Sequence, residues 1–291
     1  MTIPALGKIG VWRSGRLLTP ELAQHLERLG FGAIWIGGSP SANLEFPEQL
    51  LDATERITIA TAIVNIWTSD PLDLAVAFHR VDQKHPGRFV LGIGAGHPEQ
   101  LGGRSYTPYQ RMVDYLDWLD LERVPLEQRV LAALGPRMLK LAAERAAGAH
   151  PYLMTAEFDA RARTILDEAR GEGERAALLV PEQRVVLRQD AEEARRIAHP
   201  HIERYLALAN YTKNLRELGF TDQDLTAPGS DHLIDELVVY GQDEDIQAGI
   251  QAHFDAGADH VAVQLLTGHD DLVDISFTRL AHILMTTAEE S

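Results

Sequence analysis

Eight strand patterns alternate with helix patterns along this chain, and this alternation restricts the possible folds more than any other feature of the sequence. The first three strands are predicted at residues 9–13, 33–37 and 57–65, where short runs are apolar or β-branched. Thr19 and Asp70 each stand directly before a proline. Because both are good helix N-caps and proline suits the first helical position, helices are predicted to follow the first and third strands.

Five further strands are predicted at residues 89–96, 129–134, 149–154, 185–189 and 259–266, with helical spacing between them. This alternation, without internal repeats or low-complexity linkers, predicts a (β/α)8 TIM barrel formed as a single domain over residues 1–291. A doubly wound open sheet is the alternative. Residues 190–257 are too many for a simple connection and carry several helical patterns. They predict a helical cover insertion over one end of the barrel.

The formal net charge of -16 excludes several kinds of partner. A chain without a net positive field does not gather phosphates, so neither nucleic acid nor an anionic membrane is expected as a partner. The absence of cysteine excludes disulfides, a thiol nucleophile and a Cys-ligated metal, and no metal site is predicted. The start of the chain has no basic segment followed by an apolar core, and no long apolar run occurs elsewhere. We therefore expect a cytoplasmic protein.

Three glycines stand at alternate positions in the fourth predicted strand, FVLGIGAGHP from Phe89. Gly92, Gly94 and Gly96 are predicted to share one face of that strand, since side chains alternate with period two. The spacing differs from the dinucleotide fingerprint, whose third glycine lies in the following helix. Glycine inside a strand indicates a close approach. This face is therefore either a wall for a flat ligand, with His97 at its edge, or the packing surface of a second backbone.

The active sites of β/α barrels lie at the C-terminal ends of the strands, and this rule sorts the candidate residues. His150 and His260 stand at the starts of predicted strands, so we expect structural roles for both. Gly135 and Pro136 follow the fifth strand and lead directly into a helix, whose free N–H groups and dipole favour an anion. A glycine-rich wall beside an anion site describes a planar ring ligand that carries a phosphate.

Five stretches, in this order, resemble the luciferase-like monooxygenase superfamily of flavin and deazaflavin enzymes. They are GFGAIWIGGSP from Gly30, TAIVNIWTSDP from Thr61, HPGRFVLGIGAGHP from His85, VLAALGPRMLKLAAERAAGAHPYLMT from Val130, and AGADHVAVQLL from Ala256. They look most like the branch of coenzyme F420-dependent oxidoreductases. The resemblance runs along most of the chain and implies the same (β/α)8 fold.

The resemblance implies that the cofactor ring lies across the barrel mouth, on the ends of the third and fourth strands. In this superfamily the third strand often ends in a bulge with a non-prolyl cis peptide, for which Ala62–Ile63 is the candidate here. Residues 94–97 would contact the ring or its ribityl chain, and residues 134–136 would lie at the cofactor phosphate. The predicted cofactor-binding residues are Trp12, Gly37, Gly38, Ser39, Ala62, Ile63, Val64, Asn65, Gly94, Ala95, Gly96, His97, Leu134, Gly135 and Pro136.

One departure from the family bears on catalysis. Sugar-phosphate and alcohol dehydrogenases of the superfamily carry an Asp-His pair at the end of the second strand, where this chain has Gly38 and Ser39. His97 is therefore the candidate catalytic residue, since imidazole titrates in the range that proton transfer requires. A purely positional role for His97 is the alternative.

The leading functional hypothesis is hydride transfer between coenzyme F420 and a small organic substrate. The alternatives are an FMN-dependent luciferase-like monooxygenase and a non-catalytic cofactor-binding paralogue, the latter because the Asp-His pair is missing. The resemblance also implies a homodimer. Side chains of the cover insertion that could face the substrate pocket are Tyr205, Asn210, Tyr211 and Asn214.

Overall fold

The structure is a computed structural model and describes residues 4–97, 107–171 and 175–285. Its strands are β1 Ile9–Ser14, β2 Ala33–Gly37, β3 Thr58–Ala62, β4 Val64–Asn65, β5 Phe89–Gly94, β6 Arg129–Leu131, β7 Gly148–Ala149, β8 Leu178–Leu179, β9 Glu182–Val186, β10 Val238–Val239 and β11 Val261–Leu266. Its α-helices are α1 Pro20–Arg28, α2 Glu45–Ala53, α3 Pro71–Lys84, α4 Pro108–Leu121, α5 Pro136–Arg145, α6 Ala156–Arg170, α7 Ala191–Leu206, α8 Ala209–Glu217, α9 Asp231–Leu237, α10 Asp243–Asp255 and α11 Val273–Met285.

The strands form one parallel sheet that curls into a barrel. Their order is β10-β9-β11-β1-β2-β3-β5-β6-β7-β8, with β4 paired to β5. The segment that contains β8 and β9 joins the two sides of the ring. The Glu182 amide donates to the Pro151 carbonyl at 3.0 Å on one side, and the Asp259 amide donates to the Leu179 carbonyl at 2.9 Å on the other. The predicted TIM-barrel fold is confirmed.

The two helix starts predicted from Thr-Pro and Asp-Pro pairs are both present. The Thr19 hydroxyl accepts a hydrogen bond from the Leu22 amide at 3.2 Å, at the start of α1. The Asp70 carboxylate accepts hydrogen bonds from the amides of Leu72 and Asp73, at 2.9 and 3.3 Å, at the start of α3. Local sequence therefore defines the points at which these helices begin.

Alternation along the strands divides the core into two layers. In β2, Ile34 and Ile36 pack outward against the helices, whereas Ala33 and Trp35 fill the barrel interior. Trp12 of β1 also points inward. Burial on both faces explains why β2 is an uninterrupted apolar run rather than an alternating one.

Two histidines and a tryptophan fill the lower part of the barrel interior. Trp35 stacks on His150 with ring centroids 4.6 Å apart, and its indole N–H donates to His260 Nε2 at 3.0 Å. The remaining His260 nitrogen donates to the Gly7 carbonyl at 2.9 Å, and His150 Nδ1 donates to the Val180 carbonyl at 2.7 Å. The structural roles predicted for both histidines are confirmed.

The sixth and seventh predicted strands depart most from the structure. The strand predicted at residues 185–189 begins earlier, with β8 and β9 at Leu178–Leu179 and Glu182–Val186, and that predicted at 149–154 is only Gly148–Ala149. β9 is buried but contains charged residues, so it does not form the apolar run that would predict a buried strand. The segment 190–257, predicted as a helical cover, contains α7 to α10 and the short strand β10.

Burial lowers the pKa of His150 and of His260 to about 4. Both are neutral in the folded barrel and regain an ordinary pKa near 6.5 on unfolding, so the unfolded chain binds more protons between these values. We expect the contribution of these two histidines to the free energy of unfolding to be fully present above pH 6.5 and to decrease as the pH falls towards 4. His150→Asn, which can keep the bond to Val180, should reduce this slope by about 1.4 kcal/mol per pH unit.

Urea unfolding at a series of pH values measures this slope. His269→Asn is the control, because His269 is exposed in the loop after β11. An unaltered slope in His150→Asn would contradict the assignment of acid sensitivity to the barrel interior.

Candidate active site

The residues predicted to bind a cofactor follow five neighbouring barrel strands at their C-terminal ends. Because the sheet is parallel, these ends share one edge, which is the mouth of the barrel. The register places Gly37 opposite Ala62 and Asn65 opposite Gly94. The structure brings to this edge Trp12, Gly37, Gly38, Ser39, Ala62, Ile63, Val64, Asn65, Gly94, Ala95, Gly96, His97, Leu134, Gly135 and Pro136.

The glycines of β5 make room for the neighbouring strand. A Cβ atom on Gly92 would lie 1.9 Å from the Thr61 carbonyl oxygen, and one on Gly94 would lie 2.8 Å from the Ile63 side chain. Gly96 has left the strand, with φ of +57°, and a Cβ there would lie 2.4 Å from Asn65 Nδ2. Close packing against residues 61–65 is thus the reason for these glycines. The predicted shared face holds for Gly92 and Gly94 only.

The bulge against these glycines is the one that the family resemblance implied. β3 ends at Ala62, β4 begins at Val64, and the peptide bond Ala62–Ile63 is cis, as predicted. The bulge and its surroundings remain half-buried, so a ligand can reach them. The half-buried residues are Ala62, Ile63, Ala95, Gly96, His97 and Ala132.

The end of β2 turns sharply beneath Trp12. A Cβ atom on Gly37 would lie 2.0 Å from the Trp12 ring, so the missing side chain makes room for that indole. Gly38 and Ser39 both have positive φ, +85° and +54°, and both are exposed. This geometry makes Ser39 a turn residue.

The start of α5 is open. Gly135 is the N-cap, with φ of -82°, and no side chain caps this helix end. Apart from Gly135 itself and its two chain neighbours, no atom of the described residues lies within 4 Å of the position of a Gly135 Cβ. Leu134 and Gly135 are half-buried and Pro136 is exposed. Pro136 has no N–H, and the amides of Met138 and Leu139 donate to the Gly135 carbonyl at 3.0 Å. The Arg137 amide is therefore the first-turn N–H that this accessible helix start offers.

Two helices of segment 190–257 reach the barrel mouth. Tyr205 of α7 and Tyr211 of α8 join Tyr152 in what we call the tyrosine cluster, with ring centroids 5.1 to 6.3 Å apart. The Tyr152 hydroxyl donates to Gln264 Oε1 at 3.1 Å, so the Tyr205 hydroxyl, 2.8 Å away, donates to Tyr152. This chain of hydrogen bonds ties α7 to the barrel interior.

Sequence reasoning missed a buried ion pair beneath this cluster. Arg184 Nη1 lies 2.8 Å from Glu182 Oε2, and each residue is 1% exposed. Glu182 Oε2 also accepts a hydrogen bond from the Leu153 amide at 3.2 Å, and the guanidinium lies 4.6 Å from the Tyr152 ring centroid. Burial raises the pKa of the Glu182 carboxyl, against the attraction of Arg184.

The signal for this pair was present in the sequence. Glu182 and Arg184 are two residues apart, which places both side chains on one face of a strand. With the seventh strand predicted at 185–189, both residues fell outside it. Tyr152 and Gln264 were also missed, because their roles depend on partners more than 50 residues away.

The candidate catalytic histidine lies at the junction between β5 and segment 190–257. His97 Nδ1 is 3.2 Å from Asn210 Oδ1, and the imidazole centroid is 5.4 Å from that of Tyr211. Pro98, which ends the glycine-rich stretch, lies outside the described residues. Asn214, a third candidate from α8, donates instead to the main-chain carbonyl of Asn210 at 2.7 Å.

Within the described residues, no group of three or more His, Asp or Glu side chains is arranged to hold a metal ion. Of the helices in the same residues, none is both long and apolar enough to cross a membrane.

Comparison with known proteins agrees with this geometry. Residues 18–121, which include the bulge and the glycines of β5, match the family described as luciferase-like monooxygenase. The resemblance to luciferase-like enzymes is confirmed.

Two curated relatives are similar to a short part of the chain. 4-Hydroxyprotoasukamycin monooxygenase of Streptomyces nodosus subsp. asukaensis is 32% identical over 83 residues, which are 26% of this chain and 22% of that protein. Limonene 1,2-monooxygenase of Rhodococcus erythropolis is 32% identical over 83 residues, 26% of this chain and 21% of that protein. The match spans about a fifth of the length of each relative.

Solved structures share the fold over nearly the whole chain. An F420-dependent secondary alcohol dehydrogenase in complex with an F420-acetone adduct has a TM-score of 0.76 at 15% identity, covering 98% of this chain and 99% of that one. The F420-dependent tetrahydromethanopterin reductase of Methanopyrus kandleri has a TM-score of 0.71 at 15% identity, covering 99% of both. The oxygenating constituent of 3,6-diketocamphane monooxygenase from Pseudomonas putida, solved with FMN, has a TM-score of 0.68 at 15% identity, covering 95% and 97%.

Gly92→Ala tests the close packing of β5 on the bulge. The added methyl group would meet the Thr61 carbonyl oxygen, and overpacking of this kind lowers the free energy of unfolding by about 1–3 kcal/mol. Gly135→Ala is the matched control, because its methyl group meets nothing, and it should change stability by less than about 0.5 kcal/mol. Urea unfolding of both variants measures the difference, and equal midpoints would refute the packing argument.

Glu182→Gln tests the buried ion pair. It leaves the Arg184 guanidinium buried without its counter-charge, which we expect to cost about 3–5 kcal/mol of unfolding free energy. Replacing both residues by leucine should recover part of that loss, since no charge then remains buried. The exposed pair of Lys213 and Glu217, 3.9 Å apart, is the comparison, and Glu217→Gln should have little effect. Equal losses in the two glutamine variants, measured by urea unfolding, would count against this account.

Proposed function

We propose that this protein is an oxidoreductase that transfers a hydride between coenzyme F420 and a small organic substrate. The observation that carries the proposal is the barrel mouth, where an accessible wall almost without side chains stands beside the open start of α5. A flat ring with a phosphate on its side chain has the shape and charge that these two features accept.

The wall suits a planar ring. Ala95 and Gly96 present at most a methyl group, and both are half-buried beside the bulge at Ala62 and Ile63. The bulge fills the space next to Gly94, and Trp12 fills that next to Gly37. These two glycines would therefore support the wall without touching the ring.

The first turn of α5 suits an anion. It contains Arg137 and no acidic residue, a composition that differs from the first turns of α1, α3 and α6 but that α4 and α8 share in lacking acidic residues. An acidic side chain in the first turn stabilises a helix through the helix dipole, without a bound anion. The Arg137 amide and guanidinium would together bind a phosphate, which this acidic chain does not attract by its overall charge.

His97 is the proposed proton-transfer residue. The bound deazaflavin would supply the hydride chemistry, and His97 would give a proton to the substrate or take one from it. Helices α7 and α8 would exclude water from the mouth, since Tyr205 and Tyr211 already lie there beside Tyr152. The homodimer implied by the resemblance stays a prediction, which sedimentation would test.

An FMN-dependent monooxygenase is the second candidate, and a specific observation favours it. Both curated relatives that match part of this chain are named as monooxygenases. FMN shares the tricyclic ring and phosphate of F420, so the same wall and helix start accept either cofactor.

Titration of the protein with F420 and separately with FMN, followed by tryptophan quenching and cofactor fluorescence, tests the proposal. Micromolar or tighter binding of F420, about -8 kcal/mol, with weak FMN binding would support it. The reverse preference, with oxygen uptake, would replace it by the monooxygenase. Tight F420 binding without turnover over a broad substrate panel would favour the non-catalytic paralogue.

Gly135→Asp tests the phosphate position. Aspartate is a better N-cap than glycine, so the fold should be kept, but its charge would compete with a phosphate at the α5 start. We expect F420 or FMN affinity to fall at least about tenfold, or 1.4 kcal/mol. Gly135→Asn is the matched neutral control and should bind nearly as the original protein does. Riboflavin, which lacks the phosphate, should show no difference between the two variants, and an equal loss for riboflavin would disprove the assignment.

A further inference from the structure

The contact between His97 and Asn210 joins two distant parts of the chain at the barrel mouth. His97 follows β5, whereas Asn210 lies in the first turn of α8, and 113 positions separate them. Their side chains meet at 3.2 Å, between His97 Nδ1 and Asn210 Oδ1. This is a specific pairing of one ring nitrogen with one amide oxygen.

The pairing determines which imidazole nitrogen carries the proton. The amide oxygen of asparagine only accepts hydrogen bonds, so His97 Nδ1 must be the donor. In the neutral ring, Nδ1–H leaves the lone pair on Nε2. The nitrogen that can take up a proton is therefore Nε2.

Asn210 is itself held in place by its helix. Asn214, one turn later, donates from its side chain to the Asn210 carbonyl at 2.7 Å. The next residue, Tyr211, is buried and packs its ring against both His97 and Tyr205. The first turn of α8 thus contacts His97 by a hydrogen bond and by a ring, and α8 is anchored through the tyrosine cluster.

We propose that Asn210 is a positioning residue for His97. Its amide oxygen holds the imidazole in the Nδ1–H form, so that Nε2 is the nitrogen that exchanges a proton with the substrate. The role in catalysis rests on the proposed function, whereas the fixed tautomer does not. The first turn of α8 both packs on the barrel mouth and holds the His97 imidazole in the Nδ1–H form. The two therefore occur together.

Among the described residues, the other ionisable groups around His97 lie on α7, α8, β9 and the segment before α6. They are Tyr211 of α8, Tyr205 of α7, Tyr152 before α6, and Glu182 and Arg184 of β9. Burial raises the pKa of Tyr152 and of Tyr211, so neither loses its proton near neutral pH. Glu182 is paired with Arg184. A titration that is observed on the His97 ring itself separates its behaviour from theirs.

The first test is nitrogen NMR of protein labelled with 15N-histidine, with the His97 signals assigned by their loss in His97→Gln. In the original protein we expect the Nδ1–H tautomer for neutral His97. Asn210→Asp keeps an acceptor and adds a negative charge, so the pKa of His97 should rise by about one unit or more. Asn210→Ala removes the acceptor and should give a mixture of tautomers. Lys213→Ala, on the exposed face of the same helix, should change neither property.

An Nε2–H tautomer in the original protein, or an unchanged His97 pKa in Asn210→Asp, would overturn the proposal. The tautomer measurement needs no substitution at Asn210, so it decides the question even if a variant fails to fold.

Kinetics with F420 bound test the catalytic consequence separately. Asn210→Ala should lower kcat about 10- to 100-fold, as loss of an orienting partner does elsewhere, while F420 affinity stays unchanged. Asn210→Asp should retain turnover, and the pH at which kcat/KM changes should move by the same amount as the His97 pKa. Unchanged kcat in Asn210→Ala would overturn the positioning role. Absence of hydride transfer in the original protein would instead reject the proposed function, with the NMR result standing by itself.

Discussion

Closure of the parallel sheet through the segment 178–186 is the constraint on which the rest of this structure depends. Leu178 and Leu179 pair with β7, and Glu182 to Val186 pair with β11, so one stretch of chain joins the two ends of the ring. Closure leaves every strand with partners and directs alternate side chains into a small interior. It also gathers the C-terminal ends of all strands at one mouth, where residues distant in sequence become neighbours.

The interior is divided between small and large side chains, and this division shapes the mouth. Strands β3 to β6 contribute mainly alanine and glycine, such as Ala60, Gly92 and Gly94, and the bulge fills the space that these residues leave. The opposite side contributes Trp12, Tyr152 and the Arg184–Glu182 pair. The wall on the first side is flat and accessible, whereas the second side is aromatic, charged and covered by α7 and α8. Under the proposed function, a flat ligand would lie against the first side, and the second side would supply polar groups around it.

The buried ion pair and the tyrosine cluster connect the barrel to its covering helices. Arg184 lies against the rings of both Tyr152 and Tyr205, at 4.6 and 5.6 Å from their centroids, so a single cation contacts the barrel wall and α7 together. Cation–π contacts strengthen when they are desolvated, and this one is buried. The position of α8, which contacts His97, is therefore linked through Tyr211 and Tyr205 to a charge in the barrel interior. Polar groups that are buried together in this way specify one arrangement of the mouth.

The sequence by itself determined the elements and the edge on which the site lies. Periodicity and helix caps located most strands and the starts of α1 and α3, because these features depend on neighbouring residues. The family resemblance located the bulge at Ala62–Ile63. Only the tertiary structure decided what the glycines of β5 pack against, that Glu182 and Arg184 form a buried pair, and that Asn210 meets His97. The contacts of the glycines and of Asn210 join residues on separate elements, up to 113 positions apart, and barrel closure brings them together where local patterns carry no information. Glu182 and Arg184 are neighbours on β9, but their burial also depends on that closure.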